Sequence, residues 1–124
     1  MRKKITIGTK EFEMQSSAYT QFKYKNDTNR SLVKDLTALG EKYKEIEGIS
    51  EAEALDKFDD LEEFIMTALR LAYIMSMEGK SFNGSFEMYL MEIDNYLEKL
   101  DWIGEVVELA LSPLSRNIQT TQNI

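Results

Sequence analysis

The spacing of apolar residues changes once along this 124-residue chain, and that change constrains the fold more than any other feature. Residues 4–7 and 11–14 alternate apolar with polar side chains, which is the period of a half-buried strand. Between them Gly8 and Thr9 suit a two-residue turn in which glycine takes a positive φ. After this hairpin the apolar period becomes helical. The sequence predicts a mainly α (α+β) fold, with an N-terminal hairpin at about residues 3–15 and a bundle of about four to five helices.

The predicted turn also fixes the register of the hairpin. Ile5 should oppose Phe12, and Lys4 should oppose Glu13, so that one face carries four apolar side chains: Ile5, Ile7, Phe12 and Met14. An isolated two-stranded ribbon is marginal in water. We expect this face to rest on the chain's own helices. Pairing with another chain is the alternative, because the open strand edges can accept a partner's strand.

The first two predicted helices follow directly. A short helix begins at Ser16 or Ser17 and turns Tyr19 and Phe22 inward. Residues 26–29 then form a turn. The next helix carries a regular apolar stripe that ends at Gly48 and has a weak point at Gly40: Leu32, Leu36, Leu39, Tyr43 and Ile46.

Capping residues mark the later helices. Residues 50–53 fit a capping box, and the helix behind them ends at residues 78–80. Ser85 caps a helix whose stripe reaches Leu100, and a last helix begins at Asp101 and ends at Pro113. We therefore predict one helical domain at residues 1–114 and a polar flexible tail at residues 115–124.

Methionines concentrate in the middle of the chain, where five of the seven lie between Met66 and Met91. The helix that precedes Gly79 has a first apolar stripe that includes Leu61, Ile65 and Met75. Met66, Tyr73 and Met77 form a second stripe on the same helix, and something must cover it. A core filled with adaptable methionine side chains is the favoured explanation, and a methionine-rich surface that adapts to variable partners is the functional alternative. The candidate partner-binding residues are Ile5, Ile7, Phe12, Met14, Met66, Tyr73, Met77, Met88 and Met91.

The composition argues against catalysis. The chain has no cysteine and no histidine, which removes disulfides, Cys/His zinc sites and the commonest general bases. No glycine-rich phosphate loop or nucleophile elbow is present, and acidic pairs such as Asp59 and Glu63 are frequent on acidic helices. We expect no catalytic, cofactor or metal site, and we expect a protein that binds and is not an enzyme.

Charge and hydropathy indicate which class of partner molecule this chain binds. The net charge of −7 divides into +4 for residues 1–30 (seven basic, three acidic) and −11 for residues 31–124 (eight basic, nineteen acidic). Scattered basic residues without a recognised fold favour a solvated edge over nucleic-acid binding. The longest apolar run, residues 64–77, falls short of the roughly 20 residues that span a bilayer. The partner is therefore expected to be a protein, with no nucleic acid and no membrane involved.

Several segments in order resemble the small tail assembly chaperones of long-tailed bacteriophages and prophages of Gram-positive hosts. They are the basic hairpin at residues 3–12, Tyr24-Lys25, residues 32–36, the acidic helical middle, residues 102–109 and the polar tail. One segment departs from the family, which often has an aromatic–Gly–basic–Asp sequence where this chain has residues 26–30.

The resemblance implies a chaperone that binds the tape measure protein in the bacterial host cytoplasm and keeps it soluble while the tail tube assembles. Such a protein is absent from the mature virion. The tail tube protein is a second candidate partner, and a homo-oligomer is left open. The alternative function is a small structural tail component or an acidic helical regulatory or inhibitor protein.

Overall fold

A computed structural model describes the backbone of residues 1–122 and the side chains of residues 1–114. In chain order its elements are β1 (Arg2–Ile7), β2 (Lys10–Gln15), α1 (Ala18–Thr28), α2 (Leu32–Ile46), α3 (Glu51–Asp56), α4 (Phe58–Glu78), α5 (Phe86–Met91) and α6 (Asp101–Gln122). The predicted mainly α fold with an N-terminal hairpin is confirmed. Within the described residues there are six helices, more than the four to five predicted, and α3 and α5 are only six residues long.

The hairpin has the predicted register, with Ile5 opposite Phe12 and Lys4 opposite Glu13. Gly8 in the turn has a φ of 62°, which glycine adopts without strain. The apolar face rests on the chain's own helices, because β1 packs on α6 and β2 packs on α4. The expectation that the apolar face of the hairpin packs on the chain's own helices is therefore confirmed.

Helix α4 lies at the centre of the molecule and contacts β2 and the five other helices. Its first predicted stripe is buried, with Leu61, Ile65 and Met75 each at most 1% exposed. Ser76 on the same helix shares a buried hydrogen bond of 2.9 Å with the hydroxyl of Tyr89. This helix is the main support of the hydrophobic core.

Helix α1 is rotated relative to the prediction. Tyr19 and Phe22 are 52% and 66% exposed, and Thr20 and Tyr24 face the core instead. The hydroxyl of Thr20 donates to the Glu78 carboxylate at 2.6 Å, which fixes this side of α1 against the end of α4. The inward prediction was wrong because a polar anchor, and not the aromatic pair, determines which side of the helix is buried.

The junction between α1 and α2 also differs from the predicted turn. Helix α1 continues through Thr28, Asn29 ends it in the left-handed conformation, and Ser31 caps α2. The apolar stripe of α2 is confirmed, since four of its residues are buried and Tyr43 is half-buried. Gly40 does not interrupt the helix.

Residues 92–100 are not helical, although the apolar stripe predicted a helix through Leu100. Helix α5 ends at Met91, and Asn95 has a φ of 54°, which lies outside the α-helical region. The segment crosses the hairpin turn instead, where Thr9 donates to Asp94 at 2.5 Å. A Cβ atom added to Gly8 would lie 1.7 Å from the Asp94 carbonyl oxygen, so the two backbones are in direct contact.

Helix α6 contains Pro113 and continues to Gln122, so the prediction that Pro113 ends it was wrong. Proline removes the hydrogen bond to the carbonyl four residues earlier, which belongs to Leu109. That carbonyl accepts hydrogen bonds from the hydroxyls of Ser16 at 2.6 Å and Ser112 at 2.7 Å. The predicted flexibility of residues 115–124 stays a prediction, because their side chains and residues 123–124 lie outside the described part of the chain.

Candidate functional site

Four of the nine candidate partner-binding residues are in the core. Ile5, Ile7, Phe12 and Met14 are at most 1% exposed, and the Phe12 ring lies 4.7 Å from the ring of Tyr89. Burial under α4 and α6 stabilises a hairpin that could not exist alone. The folded chain therefore does not present these four side chains to a partner, which corrects their assignment as binding residues.

The other five candidates lie at the surface of α4 and α5. Met66, Met88 and Met91 are exposed, whereas Tyr73 and Met77 are half-buried. The Tyr73 ring lies 5.5 Å from the ring of Phe86, between α4 and α5. The Arg70 guanidinium lies 4.0 Å from the same Phe86 ring and covers part of the second stripe.

Two aromatic residues that the sequence prediction placed inward extend this surface. The ring centroids of Tyr19 and Phe22 on α1 are 6.2 Å apart, and both side chains are more than half exposed. Helix α1 packs against α4, and the pKa of Lys23 on α1 is raised by its hydrogen bond to the Asp27 carboxylate, with smaller contributions from Tyr19 and Tyr73. We call the resulting surface the apolar face: Tyr19, Phe22, Met66, Tyr73, Met77, Met88 and Met91.

The sequence does contain a signal for the orientation of α1. Ser17, Thr20 and Tyr24 follow one another at spacings of three and four residues, which is one face of a helix. Ser17 and Thr20 both donate to the Glu78 carboxylate at 2.6 Å. If this polar face is taken as the inward one, Tyr19 and Phe22 lie on the outside of α1, as the structure shows.

A second surface, which the sequence analysis did not predict, is an open groove of about 1200 Å³ between α2 and α6. Its floor contains apolar side chains from both helices, Leu36, Tyr43, Val107 and Leu111, together with Gly40 and Gly104. Its walls carry five carboxylates and one ammonium group: Glu41, Glu47, Asp101, Glu105, Glu108 and Lys44. We call it the α2–α6 groove.

The electrostatics of the groove are visible at Tyr43. Burial raises the pKa of the Tyr43 hydroxyl, and the carboxylates of Asp101, Glu47 and Glu105 raise it further. Several negative charges therefore act on one point of the floor. Glu105 is also 3.1 Å from Lys3, so one of these carboxylates has an ion-pair partner on β1.

The basic residues near the N-terminus mostly contact carboxylates of the same chain. Five of the seven in residues 1–30 form ion pairs: Arg2–Glu13, Lys3–Glu105, Lys10–Glu92, Lys23–Asp27 and Arg30–Asp35. Two of these pairs connect the hairpin to later parts of the chain: Lys3 pairs with Glu105 on α6, and Lys10 pairs with Glu92 directly after α5. The positive charge of the N-terminal end therefore contributes to internal contacts.

Among residues 1–122, no helix has both the length and the apolar character that crossing a bilayer requires. Among the described residues, no group of three or more acidic, His or Cys side chains is placed to hold a metal ion. Comparison with protein-family models, curated proteins and solved structures finds no match to this chain. The resemblance to tail assembly chaperones stays a prediction from the sequence.

Proposed function

We propose that this chain is a phage tail assembly chaperone, which binds the tape measure protein and keeps it soluble in the host cytoplasm while the tail tube assembles. The observation that supports this proposal best is the apolar face, where Tyr19 and Phe22 are 52% and 66% exposed. Exposed aromatic residues supply much of the binding energy of protein interfaces. The methionines beside them adapt to irregular apolar surfaces.

The charge of the chain suits the same role. A complex of a chaperone with a long apolar partner stays dispersed when its outer surface has a large net charge. Residues 31–124 contribute −11 to the net charge of −7. The hairpin face is not needed for this proposal, because the apolar face on α1, α4 and α5 replaces it as the binding surface.

The test is co-expression with the tape measure protein of the same phage. We expect the unmodified chain to raise the soluble fraction of that protein and to co-purify with it. The double substitution Tyr19→Ser and Phe22→Ser should reduce both effects. Its thermal midpoint should stay within a few degrees of the unmodified chain, because exposed side chains contribute little to stability.

Val33→Ser is the control, since Val33 is 50% exposed on α2, a helix that contributes no residue to the apolar face. It should leave co-purification unchanged. If the unmodified chain forms no complex and adds no solubility, the proposed function is wrong. If the double variant binds as well as the control, the binding surface is not the apolar face.

Mature tails separate this proposal from the alternative of a structural tail component. A chaperone leaves before the virion is complete, so antibodies against this chain should detect it in infected cells and not in purified tails. Stoichiometric detection in purified tails would favour the structural alternative.

A further inference from the structure

Gly40 is the feature of the α2–α6 groove that the fold itself does not require. It lies inside the 15-residue helix α2, where glycine is less favourable than alanine by about 1 kcal/mol. A Cβ atom added there would have no neighbour within 4 Å. Gly104 across the groove differs, because Tyr43 occupies the space where its Cβ would be, at 2.7 Å. The space above Gly40 is open and available to something outside the chain.

The groove has the size of a short helix. An α-helix with its side chains is about 10–12 Å wide, so a groove of about 1200 Å³ holds about two turns. A glycine in the floor allows a docked backbone to approach α2 closely. This arrangement matches the binding mode in which an amphipathic helix lays its apolar side into a groove.

The charged residues that line the groove favour a bound partner of positive charge. Five carboxylates and one ammonium group line it, and Lys3 pairs with only one of the five, Glu105, so the lining remains negative overall. Its floor is apolar, and Leu111 remains 37% exposed at one end. A helix with small or apolar residues on one side and lysine or arginine along both flanks complements this surface in shape and in charge.

We propose that the α2–α6 groove binds a basic amphipathic helix of a partner protein, with its apolar side over Gly40 and its cationic side chains beside Glu41 and Glu108. This site is separate from the apolar face. It stands whether or not the partner of the apolar face is a tape measure protein.

The probe is a fluorescein-labelled peptide of about 14 residues with leucine and alanine on one helical face and lysine on the flanks. One control peptide replaces every lysine with glutamate. A second control contains the lysine peptide's residues in an order that destroys the helical face. Fluorescence anisotropy should show binding of the first peptide at least about tenfold tighter than binding of either control.

Two substitutions test the position of the peptide. Gly40→Phe fills the floor and should weaken binding about tenfold or more. Ala38→Phe places the same ring on the same helix outside the groove and should change affinity less than about twofold. The single tryptophan, Trp102, reports whether each variant is folded. If Gly40→Phe does not fold, the double variant Glu41→Gln and Glu108→Gln provides the test, and it should weaken binding and reduce its dependence on salt.

The proposal is overturned if the scrambled lysine peptide binds as tightly as the amphipathic one, because attraction would then be general to the acidic surface. It is also overturned if Gly40→Phe and Ala38→Phe bind alike. The double variant Tyr19→Ser and Phe22→Ser should bind the peptide normally. A failure of this proposal is therefore distinguishable from a failure of the proposed chaperone function.

Discussion

Two glycines on facing helices have different environments and should respond differently to alanine. Gly40→Ala adds a methyl group in open space and should raise the free energy of unfolding by about 1 kcal/mol through helix propensity. Gly104→Ala gains the same propensity in α6, but its Cβ would lie 2.7 Å from the Tyr43 ring, and the cost of about 1–3 kcal/mol of moving that ring should cancel or exceed the gain. Urea denaturation followed by far-UV circular dichroism measures both. Equal stabilisation by the two substitutions would contradict this description of the two helices.

Asp35 is the most important buried charge among the described side chains. It is 7% exposed, accepts a hydrogen bond from the Tyr24 hydroxyl, and forms a two-pronged pair with Arg30 at 2.8 and 2.9 Å. The hydrogen bonds from Arg30 hold the pKa of the Asp35 carboxyl below its ordinary value, against the opposing effect of burial. The folded state therefore favours the ionised form of this group.

Asp35→Asn should lower the free energy of unfolding at pH 7 by about 1–3 kcal/mol. Because the pKa is lower in the folded chain, this stabilisation is complete above the unfolded pKa of about 4 and is lost as the pH falls through the folded pKa. The difference in urea midpoint between the variant and the unmodified chain should therefore be the same at pH 7 and pH 5 and smaller at pH 3. Glu62→Gln, at an exposed position beyond the first turn of α4, is the control and should change the urea midpoint little.

At the scale of elements, the continuation of α6 through Pro113 depends on two hydroxyl groups. Ser16 and Ser112 both donate to the Leu109 carbonyl that proline leaves without its helical partner. Removal of one serine leaves the other in place. Removal of both leaves a buried carbonyl unsatisfied, which costs about 1–3 kcal/mol.

A double-mutant cycle tests this arrangement. Ser16→Ala together with Ser112→Ala should lower the free energy of unfolding by more than the sum of the single effects, by about 1 kcal/mol. In a Pro113→Ala background the helical hydrogen bond returns, and the coupling should shrink to what the direct contact of the two hydroxyls at 3.3 Å contributes. Additivity in the presence of proline would contradict the role assigned to the serines.

The sequence predicted the helices and strands best where the residues that stabilise them are close together in the chain. The capping box at residues 50–53 and the hairpin register depend on residues close in the chain, and both are as predicted. The orientation of α1 depends on Thr20 and Glu78, which are 58 residues apart, and the length of α6 depends on Ser16 and Leu109, which are 93 apart. Both predictions were wrong because the deciding partner is distant in the chain: the Ser17–Thr20–Tyr24 spacing marks one face of α1, but only the contact with Glu78 shows that this face is the buried one.

The candidate surfaces follow the same division. The methionine stripe on α4 could be predicted because it belongs to one helix. The α2–α6 groove could not, because each helix shows an ordinary apolar stripe and the groove arises only where the two meet. Gly40 gave the one local indication, which the sequence analysis interpreted as a weak point in the helix.

At the scale of the whole molecule, the hairpin and the helices share one core and should unfold together. Phe12 from β2 packs against Tyr89 from α5, and Trp102 lies on the helix that supports β1. Unfolding followed by Trp102 fluorescence and by far-UV circular dichroism should give coincident transitions. Phe12→Ala should lower both midpoints equally, with a loss of about 3–5 kcal/mol. Two separate midpoints would show that the hairpin is an independent unit.

The packing of β1 on α6 also has a consequence for the synthesis of this protein. Ribosomes add about 5–20 residues per second, so about 5–20 s pass between the appearance of Met14 and that of Ala110. During that interval the four apolar side chains of the hairpin have been made, but the helix that covers β1 has not. A chain proposed to protect another protein from aggregation thus passes through a stage on the ribosome at which it needs protection itself.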